Sequence, residues 1–261
     1  MGTVSKALEL LDLFSRGRPQ IGLSDLARLS QVNKATCYRL MGELQNHGLV
    51  EQVGAAREYR LGPAVLRLAA LREAHVPMRD AAMPVLQGLA QATGETAHVS
   101  VLSGGQLRSI AHAYSGDFGT KVIMDDVHVL PFHATSSGMA VLAHLDAATQ
   151  SAELIKPLTA RTSSTETDPA RLALRLKEIA SQGYAESAGG YEAEVHSFAV
   201  PLFDSVGACM GGLAVASPRS RVTSEHTRVV LSGLARAGRE LTELWGGSLP
   251  PAIDDKWRAL A

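Results

Sequence analysis

The sequence predicts an α+β protein with a winged helix-turn-helix at its N-terminus and a larger mixed domain of strands and helices behind it. Two observations carry this prediction. Within the first 62 residues, three helical runs precede a hairpin, which is the element order of a winged helix-turn-helix. After Gly94, strand-like runs alternate with helical ones, and neighbouring strands are joined by turns too short for parallel crossovers.

The N-terminal helices are predicted from apolar periodicity and capping residues. Apolar residues recur at helical spacing over residues 5–14. Ser24 is expected to cap a second helix reaching residue 29, and Asn33 a third helix over residues 34–46 that stops at a glycine. Strand-like runs at residues 49–53 and 58–61 surround a four-residue turn and complete the hairpin.

Residues 63–92 are predicted to form linker helices, interrupted at Val76-Pro77. The first half of this stretch has an apolar face that includes Leu66, Leu68 and Leu71. Two interpretations stay open. The face either packs on its own domain, or it pairs with the same face of a twin subunit and makes the stretch a dimerisation segment.

The remaining chain supplies the second domain. The predicted domains are residues 1–62, the linker 63–92, a third region 93–247 and a tail 248–261. Strands are expected at residues 96–102, 107–113, 184–187, 195–203 and 208–216, and helices at 136–145, 168–182 and 224–245. Gly104-Gly105 is expected to make a tight hairpin turn between the first two strands.

Charge is distributed unevenly along a chain whose net charge is only −1. Residues 1–72 contain 10 Lys and Arg against 6 Asp and Glu, whereas the remainder contains 15 against 20. A basic head on an acidic body suits a protein that presents one end to a polyanion. The 46% hydrophobic and 20% charged residues are an ordinary globular balance, so disordered and fibrous classes are excluded.

The sequence does not favour a membrane protein, a disulfide-bonded protein or a metalloprotein. No apolar run reaches the roughly 18 residues of a membrane helix, and no secretory signal is evident, so a cytoplasmic location without membrane contact is expected. Cys37 and Cys209 lie far apart and have no zinc-site spacing. We expect two reduced, buried cysteines and neither a metal nor a cofactor.

The third helix has the residues of a DNA-recognition helix. Such a helix reaches bases with its N-terminal residues. A Lys there can meet a guanine edge or a phosphate, and a Thr can meet a thymine methyl group. The start of the second helix and the tip of the wing are further places for phosphate or minor-groove contacts. The residues expected to contact DNA are Ser24, Asn33, Lys34, Ala35, Thr36, Tyr38, Arg39 and Arg57. The alternative is a set of solvated charges on an ordinary surface helix.

Three stretches of the sequence, taken together with their order and spacing, are typical of one protein family. The first comprises LSDLA at residues 23–27, NKATCYRL at 33–40 and YRLG at 59–62; the second is LPFHATSSGMAVLA at 130–143; the third is SFAVPLFD at 197–204. Together they resemble the IclR family of bacterial transcriptional regulators. The resemblance implies a GAF-like effector domain (an antiparallel sheet flanked by helices), homodimers or homotetramers, and metabolite-controlled binding to palindromic, double-stranded operator DNA.

Two positions depart from the family pattern. Glu194 stands where the family usually has a glycine, and Met139 follows Gly138 where a lysine is frequent. Both positions lie in or near the presumed effector pocket. The identity of the effector is therefore not carried over from the resemblance, although a small organic acid is the general expectation.

The pocket is predicted around the loop of residues 130–139, where hydroxyl groups precede a helix whose first N–H groups can receive a carboxylate. Small or polar strand residues are expected to leave room and to add polar contacts. The candidate effector-binding residues are His112, His133, Ser136, Ser137, Glu194, His196, Ser197, Ala214 and Ala216.

Rival interpretations of these residues remain. Ser136 or Ser137 could simply cap the helix, and the His and Glu side chains could hold a metal ion if they converge. A hydrolase using Ser136 and His133 is a further alternative, but no third orienting group and no nucleophile-elbow motif is evident, so no enzyme is expected. The predicted function is a ligand-responsive DNA-binding regulator, and the resemblance implies that it represses a catabolic or transport operon. A DNA-binding protein without a ligand is the other alternative.

Overall fold

The structure, a computed structural model, describes residues 2–15, 18–75 (the backbone alone for 72–75), 78–117, 119–124 and 129–260. The chain forms two compact units, Met1–Pro77 and Met78–Ala261. Each unit combines helices with an antiparallel sheet, so the predicted α+β class is confirmed. None of the helices in these ranges is long and apolar enough to cross a membrane.

The first unit is a winged helix-turn-helix followed by one further helix. Its elements are α1 (Thr3–Leu11), α2 (Leu23–Ser30), α3 (Lys34–Asn46), β1 (Val50–Val53), β2 (Glu58–Leu61) and α4 (Pro63–His75). The buried core joins the three helices to the wing through residues such as Leu10, Leu26, Met41 and Val50. Ile21 extends the wing, because its N–H and C=O both bond the backbone of Tyr59 at 2.9 Å.

The helix boundaries are set by capping, with one correction to the sequence analysis. Asn33 caps α3 as predicted, and Gly48, at φ +69°, ends it. Ser24 does not cap α2. The helix begins one residue earlier, behind an extended Gly22, so Ser24 lies inside the first turn and its hydroxyl is available to α3.

The second unit is a six-stranded antiparallel sheet with helices on both faces. Its elements are α5 (Met78–Thr93), β3 (Thr96–Ser103), β4 (Gln106–Ala113), β5 (Val129–Leu130), α6 (Ser136–Leu142), α7 (Ala147–Leu154), α8 (Pro169–Gln182), β6 (Ala185–Ala188), β7 (Val195–Phe203), β8 (Cys209–Pro218), α9 (Ser224–Leu244) and α10 (Pro251–Leu260). The strand order is β5-β4-β3-β8-β7-β6. The predicted Gly104-Gly105 turn is present, with both glycines at positive φ.

The two faces of the sheet have different partners. Alternate strand residues such as Val99, Phe198 and Val215 pack with α5 and α9 in the larger core. The opposite residues are small, including Ala199 and Ala214, and pack with α6 and α8. The small side chains on this second face let α6 lie close to the sheet.

The segment predicted as a tail forms α10. Trp257 is completely buried in the larger core, and its indole N–H donates to the Gly183 carbonyl at 2.8 Å. Ile253, Trp257 and Leu260 recur at helical spacing behind Pro251, so the sequence did contain a signal for this helix that the prediction of a tail overlooked. Cys37 is buried and Cys209 half-buried; both are free thiols, and burial raises the pKa of Cys209 to about 12.

Candidate functional site

The start of α3 is joined to the start of α2 by a side-chain hydrogen bond. Lys34 Nζ donates to Ser24 Oγ at 2.9 Å. Asn33 Oδ1 accepts the Thr36 N–H at 2.8 Å and satisfies one of the free N–H groups of the first turn. The two helix starts therefore form one polar ridge.

The outer face of α3 is open to solvent, as a DNA-reading surface requires. Lys34, Ala35, Tyr38 and Arg39 are exposed, and Tyr38 is 59% exposed despite its large ring. The opposite face, with Cys37, Leu40 and Met41, is buried in the core. An exposed tyrosine beside exposed cations is typical of a nucleic-acid contact surface.

The wing lines a concave groove together with the starts of α2 and α3. Arg57, at the tip, has a left-handed backbone with φ +52°. Its guanidinium donates to Gln52 Oε1 from Nε (3.3 Å) and Nη2 (3.1 Å), and Gln52 Nε2 donates back to the Arg57 carbonyl at 3.3 Å. This reciprocal pair fixes the direction of the wing-tip arginine.

Four of the eight predicted DNA residues line one concave groove: Ser24, Lys34, Tyr38 and Arg57. Asn33, Ala35, Thr36 and Arg39 lie on the neighbouring part of α3, outside the groove. The sequence analysis missed Gln52 and Ala56, which complete the wing side. Nothing in the sequence indicated that Gln52 belongs to this surface, because its contact with Arg57 forms only when the hairpin folds.

Asn33 offers a test that separates folding from DNA binding. Asn33→Ala is expected to lower the free energy of unfolding by about 1 kcal/mol, because the Thr36 N–H loses its cap. Asn33→Asp keeps a capping oxygen and should retain stability in urea unfolding. Its added negative charge should nevertheless weaken operator binding in a gel shift. Equal DNA affinity of Asn33→Asp and the unchanged chain would place Asn33 away from the phosphates.

The second unit contains a cavity of about 140 Å³ between the sheet and the loop that leads into α6. Its polar wall carries hydroxyl groups, and its outer wall is apolar. The lining residues are His98, Val122, Ile123, Met124, Leu130, Thr135, Ser136, Ser137, Ser187, Tyr191, Glu192, Val195, Ser197 and Ala216. Four of the predicted effector residues are among them: Ser136, Ser137, Ser197 and Ala216.

His98, on β3, is the most perturbed group of the cavity. It is only 6% exposed, and its Nε2 lies 3.1 Å from Ser137 Oγ. Burial, with a smaller contribution from the charge of His112, lowers the pKa of His98 to about 4. The imidazole is therefore neutral at pH 7.

The outer wall, residues 119–124, has no regular secondary structure. Side chains of other elements hold it. Thr96 Oγ1 donates to the Val122 carbonyl at 2.8 Å, and the Tyr114 hydroxyl bonds both backbone groups of Met124. Arg221 donates to the Thr120 carbonyl at 2.9 Å while its guanidinium pairs with the buried Glu95. The wall is thus anchored at three points to the sheet side of the unit.

Five predicted effector residues lie outside the cavity lining. Ala214 is buried in the core beneath α6, and His112 lies across from His98 on β4, near the Tyr114 ring. His196 Nε2 pairs with Glu186 at 2.7 Å, and its ring stacks on Phe198. The side chain of Glu194 is exposed. His133 contacts the Thr159 carbonyl at 2.9 Å and lines a separate cavity of about 230 Å³.

These positions bear on the rival interpretations of the loop. Thr135, not Ser136 or Ser137, caps α6, since its hydroxyl accepts the Gly138 N–H. No group of three potential metal-ligating side chains occurs among the described residues. His133 and Ser136 line different cavities, so they do not form a nucleophile and base pair.

His98, Ser187 and Tyr191 are three polar residues of the cavity lining that were not among the predicted effector residues. Each comes from a different strand or loop. His98 had one usable signal, a polar residue between the buried apolar residues of a predicted strand. Ser187 and Tyr191 approach α6 only because Gly190 packs against the Ala134 carbonyl, where a Cβ would lie 2.8 Å away.

Comparison with known proteins matches both units. The IclR helix-turn-helix domain model matches residues 3–54, and the model of the C-terminal domain of bacterial IclR regulators matches residues 70–243. The HTH-type transcriptional regulator XynR of Escherichia coli strain K12 is 28% identical over 256 residues, covering 94% of this chain and 97% of that protein.

Solved structures agree with these matches. The crystal structure of a putative IclR regulator from Silicibacter sp. TM1040 is 56% identical, with a TM-score of 0.90, and covers 97% of this chain and 99% of that one. An IclR homologue from Microbacterium hydrocarbonoxydans, crystallised with 4-hydroxybenzoate, is 24% identical with a TM-score of 0.56 and covers 99% and 100%. The chain belongs to the IclR family of bacterial transcriptional regulators, which are DNA-binding proteins rather than enzymes.

Proposed function

We propose that this regulator is a cytoplasmic repressor of a catabolic or transport operon, released or tuned by a small organic acid. The observation that carries the proposal is the hydroxyl-lined cavity in the second unit of a chain whose first unit presents a DNA-reading groove. In a protein with both sites, binding of the effector can change the affinity for DNA.

For DNA, the proposed contacts are those of the exposed start of α3 and of the wing. Lys34 and Thr36 approach base edges in the major groove, and Tyr38 and Arg39 approach bases or phosphates. Arg57, held by Gln52, reaches the minor groove or the backbone. Ser24, Asn33 and Ala35 lie at the helix starts, where backbone N–H groups face phosphates.

For the effector, three hydroxyl groups support a small acid. Ser136 and Ser197 have no hydrogen-bond partner for their side chains within the described ranges, and Ser137 has only His98. A cavity of about 140 Å³ is close to the size that holds one benzene-sized ligand. The Microbacterium homologue, crystallised with 4-hydroxybenzoate, provides a first compound to test.

We further propose a homodimer, or a homotetramer built from dimers, on double-stranded operator DNA. Exposed leucines on α4 support this, since Leu66 is 76% exposed and Leu68 and Leu71 are each 49% exposed. Leu66 and Leu68 are two residues apart and lie on different sides of the helix, so the single apolar face predicted from the sequence is not present. Residues 63–92 would then connect DNA binding to effector binding. The interruption predicted within them, at Val76-Pro77, lies outside the described residues. The acid prefers one arrangement of the dimer, and half-site spacing changes with it.

The test pairs an operator assay with a ligand screen. A gel shift should show tight binding to the chain's own promoter region, and 4-hydroxybenzoate or another monocarboxylic acid should raise the melting temperature and weaken that binding. If no acid moves the melting temperature while promoter binding persists, the second unit serves only to oligomerise. If a bound acid leaves operator affinity unchanged at every salt concentration, the two sites are not coupled.

A further inference from the structure

The effector cavity has no fixed positive charge among its described lining residues. None of them is a lysine or an arginine, and the one acidic residue, Glu192, is exposed. We propose that a carboxylate effector enters this cavity together with one proton, which His98 takes up as the carboxylate binds. This inference rests on the proposed function, in which the effector is an organic acid.

The need for the proton follows from the cost of burying a charge. An ionised carboxylate moved into a closed site without a charged partner loses several kcal/mol of solvation. Hydrogen bonds from serine hydroxyls offset part of the lost solvation free energy, but the hydroxyls carry no net charge. A base that accepts a proton beside the carboxylate converts the buried ion into a neutral ion pair.

His98 is placed to be that base. It is buried, it lines the cavity, and its Nε2 is 3.1 Å from Ser137 Oγ, another lining atom. When the ring is protonated, Nε2–H donates to Ser137 Oγ, and the Ser137 hydroxyl proton is free to point at the carboxylate. Protonation of His98 thus fixes Ser137 as a donor to the effector.

The groups facing His98 determine the direction of the effect. The register partner of His98 on β4 is His112, and a charge on that ring lowers the pKa of His98. Across β8 the partner is Ala214, and α6 presents Ser137, neither of which is charged. Tyr191 and Glu192 line the same cavity from the loop before β7. Burial, and to a smaller extent His112, thus keep the pKa of His98 at about 4, and a bound carboxylate is the new charge that raises this pKa.

The step balances as one proton transferred from solvent. A neutral imidazole, a carboxylate and one proton give an imidazolium next to a carboxylate, and no covalent bond is broken. Between the pKa of His98 in the empty cavity and its higher pKa in the complex, acid binding is strongest at low pH and weakens as pH rises.

The experiment is titration calorimetry of the full chain with 4-hydroxybenzoate at pH 7, in phosphate and in Tris. The two buffers differ in ionisation enthalpy, so the difference in binding heat gives the number of protons taken up. We expect about one proton per site, and about tenfold weaker binding at pH 7 than at pH 6. His98→Gln keeps a polar side chain that does not titrate, and should reduce the uptake to zero and flatten the pH dependence. His196→Gln, outside the cavity lining, is the matched control and should take up the same proton as the unchanged chain.

Each other outcome has a distinct meaning. Binding without proton uptake overturns the proposal, and one proton in both the unchanged chain and His98→Gln assigns the proton to the acid instead. If 4-hydroxybenzoate, benzoate, pyruvate and gluconate all give no binding heat, the organic-acid class itself fails, and this inference fails with it. Should His98→Gln not fold, ring-nitrogen NMR of the unchanged chain decides the matter: an imidazolium shift for His98 on adding acid supports the proposal, and an unchanged shift refutes it.

Discussion

Replacing Lys34 and Arg39 together by alanine is expected to weaken operator binding at least about tenfold at 0.15 M salt, since a single specific contact contributes about 1–3 kcal/mol. Both side chains are exposed on α3, so their loss leaves the core intact. Each lost phosphate contact also lowers the slope of log affinity against log salt by about 0.9. Fluorescence anisotropy on the promoter fragment, repeated at several salt concentrations, measures both effects.

The matched control removes the same two charges from the second unit. Arg171 and Lys177 are exposed on α8, and their double alanine variant should bind the operator like the unchanged chain. The melting temperatures of both variants should stay close to that of the unchanged chain, because none of the four side chains is buried. An unaltered salt slope in the Lys34/Arg39 variant would remove α3 from the DNA interface.

Gly138→Ala is expected to abolish the response to the effector while leaving operator binding in place. A Cβ at this position would lie 2.3 Å from the Pro131 carbonyl oxygen and 2.6 Å from the Phe132 Cα. Both are backbone atoms of the loop that carries Ser136 and Ser137, so the loop itself must move. The expected cost in the free energy of unfolding is about 1–3 kcal/mol, measured by urea unfolding.

Gly88→Ala controls for the change of residue type. Gly88 is exposed on α5 with no atom within 4 Å of an added Cβ, and alanine is the better helix former by up to about 1 kcal/mol. This variant should be as stable as the unchanged chain or more so, and should bind 4-hydroxybenzoate equally well in calorimetry. Normal acid binding by Gly138→Ala would show that the loop does not form the effector site.

The sequence predicted those parts of the fold that depend on local chemistry. The cap at Asn33, the stop at Gly48 and the Gly104-Gly105 turn each follow from a residue's own backbone preferences. The helix predicted over residues 224–245 corresponds to α9, Ser224–Leu244. Ser24 was assigned as the cap of α2, but the cap position is two residues earlier, at Gly22, an extended glycine that provides no side-chain cap.

The cavity was predicted only in part, because its residues come together through tertiary packing. The loop serines were found from their position before a predicted helix. His98 meets Ser137 across 39 residues of sequence, and the outer wall is attached by Thr96, Tyr114 and Arg221 rather than by a strand. Conversely, His196 was a plausible cavity residue by strand position, but its ring is occupied by Glu186 and Phe198.

The burial of Trp257 has a consequence for the order in which the molecule acquires its structure during synthesis. The first unit, up to Pro77, is built from contacts within its own sequence, so it can fold while later residues are still being translated. The larger core of the second unit lacks its most voluminous buried side chain until α10 has left the ribosome. A nascent chain is therefore able to form its helix-turn-helix unit before the core of its second unit is complete.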